Sequence, residues 1–186
     1  MSTLKVNNLQ DTSGNNLSRV AATAQNIVTA TSSATISSVA SLVDTPATVT
    51  ITSTLANSKF LISGFIALEA NGPEDHDFAL VIRRTIGGSG SSICVGTNSG
   101  NRVGITRNWS LQQGSDAGST ASSNVMPTFL DSPAQAAGTA ITYSYSMMAT
   151  DGSPSWTVYF NRTVNDSNTS GHERFNTYIN VLEIAV

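Results

Sequence analysis

Residues 59–69, KFLISGFIALE, restrict the fold of this chain more than any other stretch. Successive side chains of a strand point to opposite faces. In extended form Phe60, Ile62, Ile66 and Leu68 therefore share one face, and Leu61, Phe65 and Ala67 the other. A strand that is apolar on both sides belongs in the middle of a sheet with a cover on each face. One cover is a partner sheet. The other is expected from a neighbouring copy of the chain, the first sign of an oligomer.

The period of two recurs along the rest of the sequence. TPATVTITST alternates Val49 and Ile51 with threonines, and HDFALVIRR sets Phe78, Leu80 and Ile82 against Ala79 and Val81. Further strands are expected in ICVGT, RNWSLQ, VMPTFLD, TAITYSYSMMA, SWTVYFNR and RFNTYINVLEIAV, separated by turn-rich segments. GGSGSS reads as a loop, and QGSDAGSTASSN as a long polar one. Roughly eight closely spaced strands indicate a sandwich or barrel. The expectation is an all-β, jelly-roll-like antiparallel β-sandwich over residues 46–186, preferred over an immunoglobulin-like arrangement.

Before it, residues 1–45 read as an attachment segment and a stalk or linker. Leu4 and Val6 lie on one face of a short strand, and DTSGNN supplies turn residues. Such a strand needs a partner sheet, because isolated hairpins are marginal in water. Leu17, Val20, Ala24, Ile27 and Thr31 follow at alternating three- and four-residue steps, as in a coiled-coil seam. β-Branched content argues for extended structure instead. A stalk over 17–45, helical in its first half at most, is the expectation.

Composition removes several functions. Only 11% of residues are charged and the net charge is −3, so the clustered Lys and Arg of a phosphate-tracking surface are missing and nucleic acid is not an expected partner. Cys94 is the single cysteine, which excludes an intrachain disulfide and a cysteine-built zinc cage. FLISGFIAL, the longest apolar run, is too short to cross a bilayer, and the opening residues have no secretory h-region. A soluble product of a cytoplasm, without membrane insertion, is expected.

Chemistry-bearing groupings are few. PEDHD gathers Glu74, Asp75, His76 and Asp77 without calcium-loop spacing, and reads as a solvated turn. His76 and His172 have no accompanying nucleophile elbow, and the four glutamates form no recognisable pair. No enzymatic activity, cofactor or metal is expected. Trp156, in a strongly alternating strand, reads as core, whereas Trp109, beside a polar loop, is balanced between core and contact.

STLKVNNLQDTSGNN is similar to the opening of many fibre and structural proteins of marine and cyanobacterial tailed phages. SKFLISG, FLDSPA, ITYSYSM, VYFNR and INVLEI resemble the β-domain that follows there, in the same order. The resemblance implies a virion protein, a trimeric tail fibre fixed to the particle by its N-terminal segment. Leu4, Val6, Leu9, Leu17 and Val20 are the expected attachment residues, with a tail, baseplate or capsid protein as socket. Residues 71–77 and 114–124 are expected to face outward, with Arg107, Asn108 and Trp109 as contacts to a host-surface glycan or protein. The sequence departs from a fibre in having no long repeated shaft and in its Ser/Thr-rich stretch. These departures leave room for a capsid decoration protein that stabilises the shell without binding a receptor.

Overall fold

The computed structural model describes residues 19–36, 41–71, 77–110, 122–150 and 156–185. Eleven strands are formed there: β1 (Arg19–Val28), β2 (Ser32–Ile36), β3 (Val43–Thr52), β4 (Lys59–Asn71), β5 (Asp77–Ile86), β6 (Ser89–Ile93), β7 (Arg107–Ser110), β8 (Ser122–Asp131), β9 (Ala140–Ala149), β10 (Trp156–Phe160) and β11 (Thr177–Ala185). All pairings are antiparallel. One sheet runs β1-β11-β4-β8 and the other β3-β9-β5-β6, with β7 sharing the β6 edge of β5. The chain changes sheet at β3, β4, β5, β8, β9 and β10, and these two strand orders facing each other are those of a jelly roll.

The doubly apolar strand does lie centrally, as β4, hydrogen-bonded on both edges. Phe60, Ile62, Ile66 and Leu68 of β4 meet Phe78, Leu80 and Ile82 of β5 and Ile141, Tyr143, Tyr145 and Met147 of β9, all essentially inaccessible to water. Each large apolar side chain buried this way stabilises the fold by about 1.5–3 kcal/mol. Between them a Cβ on Gly64 would lie 2.2 Å from the Tyr178 carbonyl oxygen and 2.5 Å from the Tyr145 hydroxyl. Only glycine fits there. Opposite, the β4–β8 register shifts between Ile62 and Gly64, a bulge that accommodates Pro127 inside a strand.

Beyond the jelly roll, the six-stranded sheet forks. β4 pairs with β11 over residues 59–65 and with β10 over residues 68–71, and β2 lies outside β10. Asn161 holds the fork open. Its backbone adopts φ 61°, its N–H donates to the Ala67 carbonyl, and its side-chain amide donates to the carbonyls of Val28 and Ala30. The Thr177 hydroxyl donates to its Oδ1 and accepts from the Ala67 N–H. Asn tolerates the left-handed region better than most residues, and here its amide also satisfies carbonyls that the divided sheet leaves unpaired.

Two expectations are corrected. Residues 19–36, assigned to a stalk, are β1 and β2, integral to the six-stranded sheet. The described residues therefore show no domain boundary at 45/46. The three- and four-residue spacing there was coincidental: Ala22 and Ala24 pack on the core from an extended strand, and pairing with β11 outweighs a short helical pattern. GGSGSS is not simply a loop either. Gly87 and Gly88, both at positive φ, make the turn, and β6 begins at Ser89. Its polar side chains are exposed because β6 is an edge strand held by its backbone.

Candidate functional site

The sandwich has two unlike ends. Arg19 pairs with Ala185, so the chain enters β1 beside the last residues of β11. At the opposite end lie the strand termini that bracket residues 72–76, 111–121 and 151–155, as the pairs Asn71–Thr157, Asp77–Ser110, Leu68–Ser122 and Phe78–Ala149 establish. The entry to β1 and these strand termini thus lie about a strand length apart.

The expected contact residues lie toward the second end but do not act together. Trp109 is 4% exposed and tilts against Phe78 at 5.2 Å between ring centroids, so it belongs to the core and not to a receptor face. Arg107 is exposed and donates to the Val125 carbonyl of β8 at 3.0 Å, closing one side of the sandwich. Asn108 is exposed opposite Ala79, on the other face of its strand. Of the attachment residues, Leu4, Val6, Leu9 and Leu17 lie outside the described residues. Val20, on β1, is 56% exposed beside Ile184.

Next to Asn108, residues 94–106 fold over the outer side of the five-stranded sheet. Ser99 and Arg102 exchange backbone hydrogen bonds, and the Gly104 N–H donates to the Asn98 side chain at 2.6 Å. This excursion places Val95 and Ile105 on Ala79, Val81 and Met148. Between it and the end of β9 is a cavity of about 230 Å³ lined by Asn101, Arg102, Val103 and Met148, among others. An opening of this size, with amide and guanidinium groups above an apolar floor, can take one sugar ring or one side chain of a protein ligand.

The buried charges are structural. Asp131 accepts two bonds from Arg84, at 2.7 and 2.9 Å, and one from Tyr143 at 2.8 Å, tying β8 to β5 and β9 across the core. Burial, aided by the Asp131 charge, pushes the Tyr143 phenol far up. Glu183 accepts from the Thr54 and Leu55 N–H groups and from the Ser53 and Thr54 hydroxyls, fixing the β3–β4 turn. Burial works to raise its pKa, but these hydrogen bonds win and hold it below the usual carboxylate value. Glu69 accepts from the Ala70 N–H, its one hydrogen-bond partner among the described residues, and burial pushes it up to about 7. His172 shares a hydrogen bond with Ser167 in an exposed turn. No group of three or more metal-ligating side chains is present among the described residues. His76 and its acidic neighbours Glu74 and Asp75 lie outside them.

A surface that the expected contacts did not include lies on the outer side of the six-stranded sheet. Val125 is 69%, Ile27 54% and Leu130 45% exposed there, among half-buried Leu61, Phe65, Tyr178, Leu182 and Ile184. Its sequence signal was available in TYINVLEIA, where Tyr178, Leu182 and Ile184 make the second face of β11 apolar as well.

No family model and no curated protein matches this chain. Among solved structures, a chain of infectious bursal disease virus strain Gx aligns with a TM-score of 0.40 at 11% identity, and one of strain Gt with 0.35 at 12%. The alignments cover 97% and 98% of this chain, which spans 44% and 41% of those chains. At that level of likeness the assignment of the fold rests on the strand order alone.

Proposed function

We infer that this chain is a virion structural protein of a tailed phage: a short, homotrimeric tail fibre held to the particle by the segment preceding β1. Its far end is presented to the host surface, where contact with a glycan or protein is non-covalent. The observation that carries this reading is the polarity of the sandwich, in which chain entry at Arg19 and the strand termini that bracket residues 72–76, 111–121 and 151–155 sit at opposite ends. A molecule attached at one end and binding at the other needs that arrangement. Three copies also turn weak single contacts into a durable one. The 230 Å³ cavity and Asn108 supply polar groups near that end.

One observation favours a second reading, a capsid decoration protein that touches no receptor. Residues 19–36, expected as a stalk, are strands of the sandwich itself, and a β-domain with no spacer among its described residues suits a protein seated against a shell. Gold-labelled antibodies on intact particles separate the two. Label on the tail supports the fibre, label over the head supports decoration, and intact particles without the protein overturn both. Binding of the purified protein to host cells, competed by free surface glycan, is expected for the fibre alone.

A further inference from the structure

The outward side chains of β1, β11, β4 and β8 form transverse rows. Nearest the fork, Ile27, Tyr178, Phe65 and Val125 stand side by side, with Phe65 and Tyr178 edge to face at 4.9 Å. The next row is Gln25, Asn180 and Ser63, in which the Gln25 amide donates to Asn180. Then come Thr23, Leu182, Leu61 and Leu130, and last Val20, Ile184 and Lys59. Two apolar rows thus flank an amide row. Lys59, at the rim, is the only charged side chain in these rows.

We propose that this face is where further copies of the same chain pack, about an axis running along the strands. Its charge pattern favours its own kind: a face whose one charge, Lys59, sits at the rim selects no oppositely charged partner and sets no cluster of like charges between copies. With the axis along the strands, each row meets the same row of its neighbour. Apolar residues then cover apolar residues, and Asn180 and Gln25, which both donate and accept, meet their equivalents. Four strands about 4.8 Å apart and seven residues long, with their side-chain margins, present roughly 500 Å² per copy. Two such faces in full contact bury about 1,000 Å², the lower bound for a specific interface, and three meeting around the axis bury roughly 1,500 Å² in all. An axis in this direction also keeps every chain entry at one end. The proposal deepens the oligomeric part of the reading above and does not depend on the virion assignment.

Sedimentation and cross-linking of the full chain test it. The wild-type protein is expected to sediment as a trimer, and Val125→Glu as a folded monomer with unchanged circular dichroism. Thr50→Glu, on the outer face of the other sheet, is expected to remain trimeric. Ile27 and Val125 lie in one row at opposite edges of the face, three strand spacings or about 14 Å apart, too far for a disulfide within one chain. In a Cys94→Ser background, Ile27→Cys combined with Val125→Cys is therefore expected to yield covalently linked chains on mild oxidation. A ladder ending at dimers keeps the face and overturns the trimer. A monomeric wild type, a Val125→Glu protein that associates as the wild type does, or an absence of linked chains overturns the proposal, whatever the particle-labelling experiment returns.

Discussion

On the outer side of the five-stranded sheet Thr48, Thr50 and Thr52 face water, Asp44 pairs with Arg83 at 3.5 Å, and the one apolar spot is roofed by residues 94–106 of the same chain. On the outer side of the six-stranded sheet, Val20, Ile27, Val125 and Leu130 face water and no described segment of the chain roofs them. Both sheets contribute apolar inner faces to one shared core, so the difference is not the absence of a core on either side. It lies in where each cover comes from: the first sheet carries its own, and the second leaves room for another molecule. A large exposed apolar area on one side only is the pattern expected of an interaction surface.

The comparison can be broken most severely beneath the roof. Val81→Asp buries an unpaired charge under residues 94–106 and is expected to cost about 4 kcal/mol or to prevent folding, measured by urea denaturation. Leu130→Asp, the matching change on the uncovered face, is expected to cost under about 1 kcal/mol in the monomer. Equal losses at the two sites would show that the faces do not differ.

Glu69 sharpens the comparison through pH. It is buried on the outward side of β4, with its pKa raised from 4.5 to about 7 by desolvation. A carboxyl raised on folding favours the native state fully below its unfolded value, and that contribution is lost as pH rises through the folded value. Stability is therefore expected to fall by about 3 kcal/mol between pH 4.5 and pH 8, and Glu69→Gln is expected to remove most of that slope. Urea midpoints across this range check it, and parallel slopes for the two proteins would refute it.

Smaller effects are expected at the roof itself and on the threonine face. A Cβ on Gly104 would lie 1.8 Å from the Gly96 carbonyl oxygen, so Gly104→Ala is expected to cost about 2 kcal/mol and to speed amide exchange in residues 94–106. Thr50→Val removes a 2.8 Å hydrogen bond to Thr142 at an exposed site and is expected to change thermal stability by less than about 0.5 kcal/mol.

Much of the architecture was legible because alternation survives without tertiary context. Val49 and Ile51, Phe78 through Ile82, and the two-sided strand at residues 59–69 all announced their faces, and the central position of β4 followed. What failed were segments whose state is decided by a distant partner. Ala22 and Ala24 fit a helix or a strand until β11 is present, and the serines of β6 carry no hydrophobic period. Asn161 passed as one more residue of the expected strand SWTVYFNR, yet its amide divides a sheet by bonding to Val28 and Ala30, more than 130 positions earlier. The contact residues were hardest: Trp109 is buried by Phe78, whose proximity no local pattern reveals. The apolar outer face was half visible in Leu61 and Phe65, but its width depends on the alignment of four strands.

The pairing of β1 with β11 joins Arg19 to Ala185, and this bears on biosynthesis. A ribosome releases β1 long before its neighbour exists, so this strand must wait until residues 177–185 have been made before it can be hydrogen-bonded to them. Pairings this distant in sequence form slowly. Products terminated before residue 177 would lack both β11 and the surface it completes, so under the packing proposed above the same topology that delays maturation would also keep truncated molecules from joining finished ones.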